Sequence, residues 1–227
     1  MLPTTKGERP FATVLIDLMI DGMNHNLRRR IDVGFYRQVL TVLSRLFSHL
    51  VKTRTKLVYH WSELWRTLLS FVRFLNAYAD DLKGLPGMIE TVKRLVDVIT
   101  IALTGGESML GHTASYDDLF YKLIEAREAL TKVRECYGLG KGDQHSSIDT
   151  LIAVSAHYQD LIDSHNGKGA HLSPREVSTI IKEGYDSLSL EAREGLDHFE
   201  PFREAEHKAE LKKIARVVVA DATALGP

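Results

Sequence analysis

Apolar residues recur at intervals of three and four nearly everywhere in this chain, and the spacing is densest between Trp61 and Tyr78. Trp61, Leu64, Trp65, Leu68, Val72 and Leu75 form one stripe, and Phe71, Phe74 and Tyr78 widen it. Only the ridge Glu63, Arg66, Ser70 and Arg73 is left for water. A period near 3.6 residues is that of an amphipathic helix. A helix apolar over most of its circumference must sit centrally, with neighbours on several sides. The rest of the chain therefore has to wrap this segment.

The neighbours read as helices too. Tyr36, Val39, Leu40, Leu43, Leu46, Phe47 and Leu50 keep one face, with Arg37, Thr41, Ser44, Arg45 and Ser48 on the other. Phe11 to Met23 holds Thr13, Asp17 and Asp21 on a thin polar edge. Met88 to Leu103 follows Leu85-Pro86-Gly87, and Gly105-Gly106 is expected to stop it. Tyr116 to Tyr137 reads as a single helix, with Ser115 and Asp118 as an acidic variant of the capping box. Ile148 to Ile162 starts after Ser146-Ser147 and ends at Asn166-Gly167. Ser173-Pro174-Arg175-Glu176 is a fuller start signal, with Pro at the first helical position. A last helical stretch runs from about Leu190 to Ala222, kinked or divided at Pro201. Only Lys56-Leu57-Val58-Tyr59 resembles a strand, and no β–α alternation accompanies it. The expected fold is all-α, a multi-helix bundle or short curved array of about eight helices. Residues 1–227 are expected to form a single domain, with a surface loop near 138–147, because either half alone would leave much apolar surface exposed.

With 44% hydrophobic residues, 26% charged residues and a net charge of -1, the chain lacks the composition of a disordered protein. The run Leu95–Leu103 is far short of the roughly 18 residues of a spanning helix, and Asp97 and Thr100 interrupt it. The first ten residues have no apolar stretch of the kind that marks a signal peptide. The one cysteine, Cys136, has no partner for an internal disulfide. These features together describe a soluble intracellular protein. Charge is uneven along it. Residues 1–80 carry 12 Lys+Arg against 6 Asp+Glu, which leaves the remainder net acidic. Arg28, Arg29, Arg30, Arg54 and Lys56 are the candidate basic patch toward an acidic partner or an anionic membrane.

Chemistry-bearing patterns are weak. Ten histidines show no His-Glu-x-x-His spacing, and the nearest grouping, His198 with Glu206-His207, lies on a highly charged stretch. Gly106-Glu107-Ser108-Met109-Leu110-Gly111 misses the nucleophile-elbow register, since Leu110 stands where the second Gly belongs and a helix precedes it. Gly138–Asp143 and Gly167-Lys168-Gly169 lack the phosphate-loop register. No basic–aromatic interleaving points to nucleic acid. No catalytic, cofactor or metal residues are assigned, and an interaction module is the better reading.

Ordered segments carry a family resemblance. They are Tyr36-Arg37-Gln38-Val39-Leu40-Thr41-Val42-Leu43, Glu63-Leu64-Trp65 with Arg73-Phe74-Leu75, and Ser115-Tyr116-Asp117-Asp118-Leu119-Phe120-Tyr121. In the second half they are Leu172-Ser173 with Glu176-Val177, Tyr185-Asp186-Ser187-Leu188-Ser189-Leu190, and Gly195-Leu196-Asp197. Together they resemble the carboxy-terminal helical domain of the armadillo-like helical domain-containing protein 3 family. The resemblance implies a fragment of a longer chain whose amino-terminal armadillo-like region is absent. It implies a non-enzymatic, cytosolic scaffold at the peripheral Golgi membrane, supporting phosphatidylinositol 4-kinase beta and tied to Arf-like small GTPases. An alternative is a purely structural domain packing on that absent region.

Overall fold

The computed structural model describes residue 4 and residues 9–27, 31–141, 146–165, 174–184 and 204–224. Among these lie α1 (Phe11–Leu27), α2 (Val33–Lys52), α3 (Trp61–Ala77), α4 (Ala79–Leu82) and α5 (Met88–Met109). They are followed by α6 (Thr113–Glu125), α7 (Arg127–Tyr137), α8 (Ser147–His165), α9 (Pro174–Gly184) and α10 (Glu204–Ala224). The described residues contain isolated bridges and no strand, so the fold is all-α. The Lys56–Tyr59 segment contributes one such bridge, in which the Leu57 N–H donates to the Met109 carbonyl at 2.9 Å.

The central helix keeps most of its expected stripe, but Phe74 is half-buried and Tyr78, just past the helix end, is 52% exposed, while Ser70 on the ridge read as left to water is half-buried. Trp61, Leu64, Trp65, Leu68, Phe71, Val72 and Leu75 are all buried, while Glu63, Arg66 and Arg73 face water. Around α3 pack α1, α6 and α7, and α2 adds the Tyr36 ring, stacked on Phe71 at 4.3 Å. On the other side of α2 lies α5, the most extensive helix pair in the molecule. One continuous cluster of buried side chains runs from Ala12 to Ile181. It includes Leu95, Val96, Val98, Ile99 and Leu103, so the apolar run of α5 is spent on protein contacts. No described helix is long and apolar enough to cross a membrane. α10 adds nothing to the cluster, and its Leu211, Ile214, Val217, Val218 and Val219 are exposed.

Three boundaries differ from those read in the sequence. Gly105 and Gly106 do not end α5, which continues to Met109. Both glycines are buried, and their missing Cβ atoms admit neighbours: Val51 of α2 against Gly105, and the Tyr116 ring against Gly106. They are contact points, not terminators. The helix read as Tyr116–Tyr137 is divided at the buried Ala126, and each half packs on both α3 and α8, which one straight rod would not do. Its start is Thr113, after His112, which makes no side-chain cap. Ser115 instead offers its carbonyl to the Trp65 indole N–H at 3.1 Å, and Asp118 pairs with Lys122 at 2.7 Å. The start signals of α8 and α9 are matched. The Ser146 hydroxyl accepts the Asp149 N–H at 3.3 Å and contacts its carboxylate, and α9 opens at Pro174. Of the expected 138–147 loop, Gly138 closes α7 with φ +63°, and Leu139 is buried; residues 142–145 lie outside the described residues. So do Asn166-Gly167, Gly167-Lys168-Gly169, Ser173, Pro201 and the first part of the stretch read as Leu190–Ala222.

Buried phenols and indoles donate to backbone carbonyls of neighbouring segments. Tyr36 donates to Met23 at 2.6 Å, Tyr116 to Leu103 at 2.6 Å, Tyr137 to Leu75 at 3.0 Å and Trp61 to Leu57 at 3.1 Å. Tyr158 is the exception, a fully buried ring whose hydroxyl has no hydrogen-bond partner. Burial, with the nearby Asp117 carboxylate, pushes its phenol up to about 12. A raised folded-state value means the contribution is whole below the unfolded value near 10 and is lost as pH rises toward 12. Tyr158→Phe is therefore expected to be neutral or slightly stabilising at pH 7, whereas Tyr36→Phe costs about 1 kcal/mol. Tyr158→Phe should also soften the alkaline loss of stability between pH 10 and 12. Melting temperatures across that range check it, and a large loss from Tyr158→Phe at pH 7 would show an unseen partner.

Candidate docking surface

Of the basic candidates, Arg54 and Lys56 lie among the described residues. Arg54 follows α2 in a left-handed conformation, φ +48°. Its N–H donates to the Val51 carbonyl at 3.1 Å and the Thr55 N–H to Leu50 at 2.9 Å, which together close the helix as a Schellman cap. Glycine is usual there; Arg54 holds the strained position and displays its side chain to water, as does Lys56. Arg28, Arg29 and Arg30 lie outside the described residues. Their neighbours Leu27 and Ile31 flank the other end of α2, where Asp32 caps it by accepting the Phe35 N–H at 3.0 Å. A 20-residue helix is about 30 Å long, so Arg54 and Lys56 lie a helix length from the Asp32 cap.

Between the two ends, α2 presents a second basic feature. The helix contains no Asp or Glu. It runs parallel to α5: Gly87 lies beside Val33 and Arg37, and Gly105 beside Val51. Ser44 and Ser48, on the face opposite the apolar stripe, are buried, and their small size lets α5 close in. The surface groove left above this contact, about 590 Å³, is lined by Arg37, Gln38, Thr41, Ser44 and Arg45 from α2, with Glu90 and Arg94 from α5. Three guanidinium groups thus meet one carboxylate. Arg94 pairs with Glu90 at 3.2 Å and is 28% exposed, but its Nε is buried without a hydrogen-bond partner. Arg37 and Arg45 are exposed and form no ion pair among the described residues. The sequence shows Arg37 and Arg45 two turns apart on an acid-free helix. It does not show that Arg94, some fifty residues on, joins them.

The remaining candidates are scattered. Among the described residues no group of three or more His, Cys, Asp or Glu converges. His207 touches Glu210 at 3.4 Å, while His198 lies outside the described residues. Cys136 is a free, exposed thiol. Arg134 Nε meets the Asp149 carboxylate at 2.6 Å, which ties α7 to α8 beside the Gly138–Gly140 turn.

The family described as Armadillo-like helical domain-containing protein 3, C-terminal, matches residues 9–224. The human protein of that name is 25% identical over 224 residues, covering 92% of this chain and 32% of its own length. The Danio rerio protein is 24% identical over 213 residues, covering 88% of this chain and 31% of its own. A Schizosaccharomyces pombe relative, named as a membrane protein, is 21% identical over 212 residues, covering 93% of this chain and 34% of its own. The chain thus spans about a third of the length of the curated relatives it matches. No solved structure matches. By the match over residues 9–224, which spans every described helix, the chain belongs to the armadillo-like helical domain-containing protein 3 family, in the region described as its C-terminal part.

Proposed function

We propose that this chain is a non-enzymatic scaffold domain that docks a membrane-bound partner at the Golgi. The leading partner is an Arf-like small GTPase in its GTP form, with phosphatidylinositol 4-kinase beta supported by the same assembly. The observation that carries this reading is the family match over residues 9–224. An all-helical body with basic surface and no converged reactive groups among its described residues fits such a role. A few basic residues near a bilayer contribute about 1 kcal/mol each, too little to hold a domain, so a protein receptor supplies the specificity. GTP-bound GTPases differ from GDP-bound ones in ordered switch segments, so a true effector separates the two. The chain is expected to bind a GTPase loaded with a non-hydrolysable GTP analogue at least about tenfold tighter than the GDP form. Equal or absent binding across a panel of Arf-like GTPases would overturn it.

The second reading, a structural domain packing on a further helical region, has its own observation. Phe11 and Leu18, seven residues apart on α1, are 50% and 62% exposed, beside the half-buried Val14 and Leu15. An outward apolar edge of this kind fits coverage by another helix, and the relatives are about three times as long.

A further inference from the structure

The α2/α5 groove combines three features. It is basic, with Arg37, Arg45 and Arg94 against Glu90. It is elongated, because Arg37 and Arg45 stand eight residues apart on one helix, about 12 Å at 1.5 Å per residue. It also holds an unsatisfied donor, the buried Arg94 Nε–H. A lone buried donor is costly unless an acceptor reaches it. Guanidinium groups favour carboxylates because their planar forks match them in pairs.

We propose that this groove binds an acidic helical segment of a partner protein, whose carboxylates, two turns apart, meet Arg37 and Arg45 while one between them meets Arg94. This deepens the scaffold reading above and rests on it. The spacing selects the ligand. A single phosphate is a compact anion and rewards arginines that converge on one point, whereas these two sit at the interval at which a helix repeats i and i+8 on one stripe. A bilayer is flat, whereas the Arg94 side chain, 28% exposed, sits between two helices in the groove. Thr41 and Gln38 offer hydrogen bonds along the floor, and the exposed Val42, one turn from Gln38 and three residues from Arg45, gives an apolar rim for the segment to rest on. Salt bridges at an open groove are individually weak, so the segment is recognised by the register of its charges, and its binding is sensitive to ionic strength.

The probe is a fluorescent, alanine-rich helical peptide of about sixteen residues with glutamates at i, i+4 and i+8, titrated against the 227-residue chain. A peptide of the same composition with its glutamates spread around the helix is the control. The striped peptide is expected to bind at least about tenfold tighter than the control, and Arg37→Glu with Arg45→Glu to remove that advantage. Arg54→Glu with Lys56→Glu should leave the affinity within about twofold, since those side chains lie beyond the end of the groove. Arg37→Gln with Arg45→Gln, which keeps polarity and adds no repulsion, should lose affinity in the same order, with unchanged melting temperature. Equal binding of striped and control peptides, or full binding by the charge-reversed chain, would overturn the proposal. Binding of phosphatidylserine vesicles but not of the peptide, lost on the same reversal, would also overturn it, in favour of a lipid surface. The two readings fail separately: if the striped peptide does not bind while the GTPase does, the groove assignment falls and the scaffold stands.

Discussion

Replacing Trp65 with alanine is expected to cost about 3–5 kcal/mol of stability and to lower the melting temperature by about 6–20 °C. Trp65 is 1% exposed, stacks on Trp61 with ring centres 5.3 Å apart, and meets Phe47 edge-to-face at 6.2 Å. Its indole N–H also satisfies the Ser115 carbonyl near the start of α6. Truncation therefore leaves a cavity in the first half of the central helix and an orphaned acceptor at a neighbouring one. Thermal unfolding followed by circular dichroism measures the loss. A Trp65→Ala chain that melts as before but no longer binds its partner would make this tryptophan a binding residue instead of a core one.

Gly106→Ala is the second change with a large expected effect, and its sign runs against helix propensity. In a helix interior alanine is favoured over glycine by about 1 kcal/mol, so the substitution would stabilise an isolated α5. In the folded chain a Cβ at this position meets Tyr116 Cε2 at 2.5 Å and Cδ2 at 2.7 Å. The ring has little freedom to yield, since its hydroxyl is held by the Leu103 carbonyl at 2.6 Å. Overpacking of this kind costs about 1–3 kcal/mol, so a net loss is expected. Gly84→Ala is the control, because nothing lies within 4 Å of the added carbon there. In a Tyr116→Leu background the cost of Gly106→Ala should fall, and a double-mutant cycle reads the difference. If Gly106→Ala raises the melting temperature instead, the close approach of α6 to α5 is wrong.

The helical period alone settled that the chain is all-α and which faces turn inward. Trp61, Leu64, Trp65, Leu68 and Val72 were legible as core because each helix reports its own buried stripe locally. Local chemistry also marked the starts of α8 and α9, since Ser146 and Pro174 act on the first turn of their own helices. Apposition was another matter. Gly105-Gly106 has the composition of a helix stop, and only the arrival of Val51 and Tyr116 makes it a contact surface inside α5. Ala126 is a good helix former, and α6 and α7 part there because both must lie across α3 and α8. Ser44 and Ser48 read as a polar face until α5 covers them. The candidate docking groove follows the same division. Its α2 arginines were visible as a spacing, but Arg94 joins them only because α2 and α5 pack in parallel. A sequence period describes one helix at a time, whereas a site made of two helices depends on how they meet, which is decided by the fit of small and large side chains across the whole core.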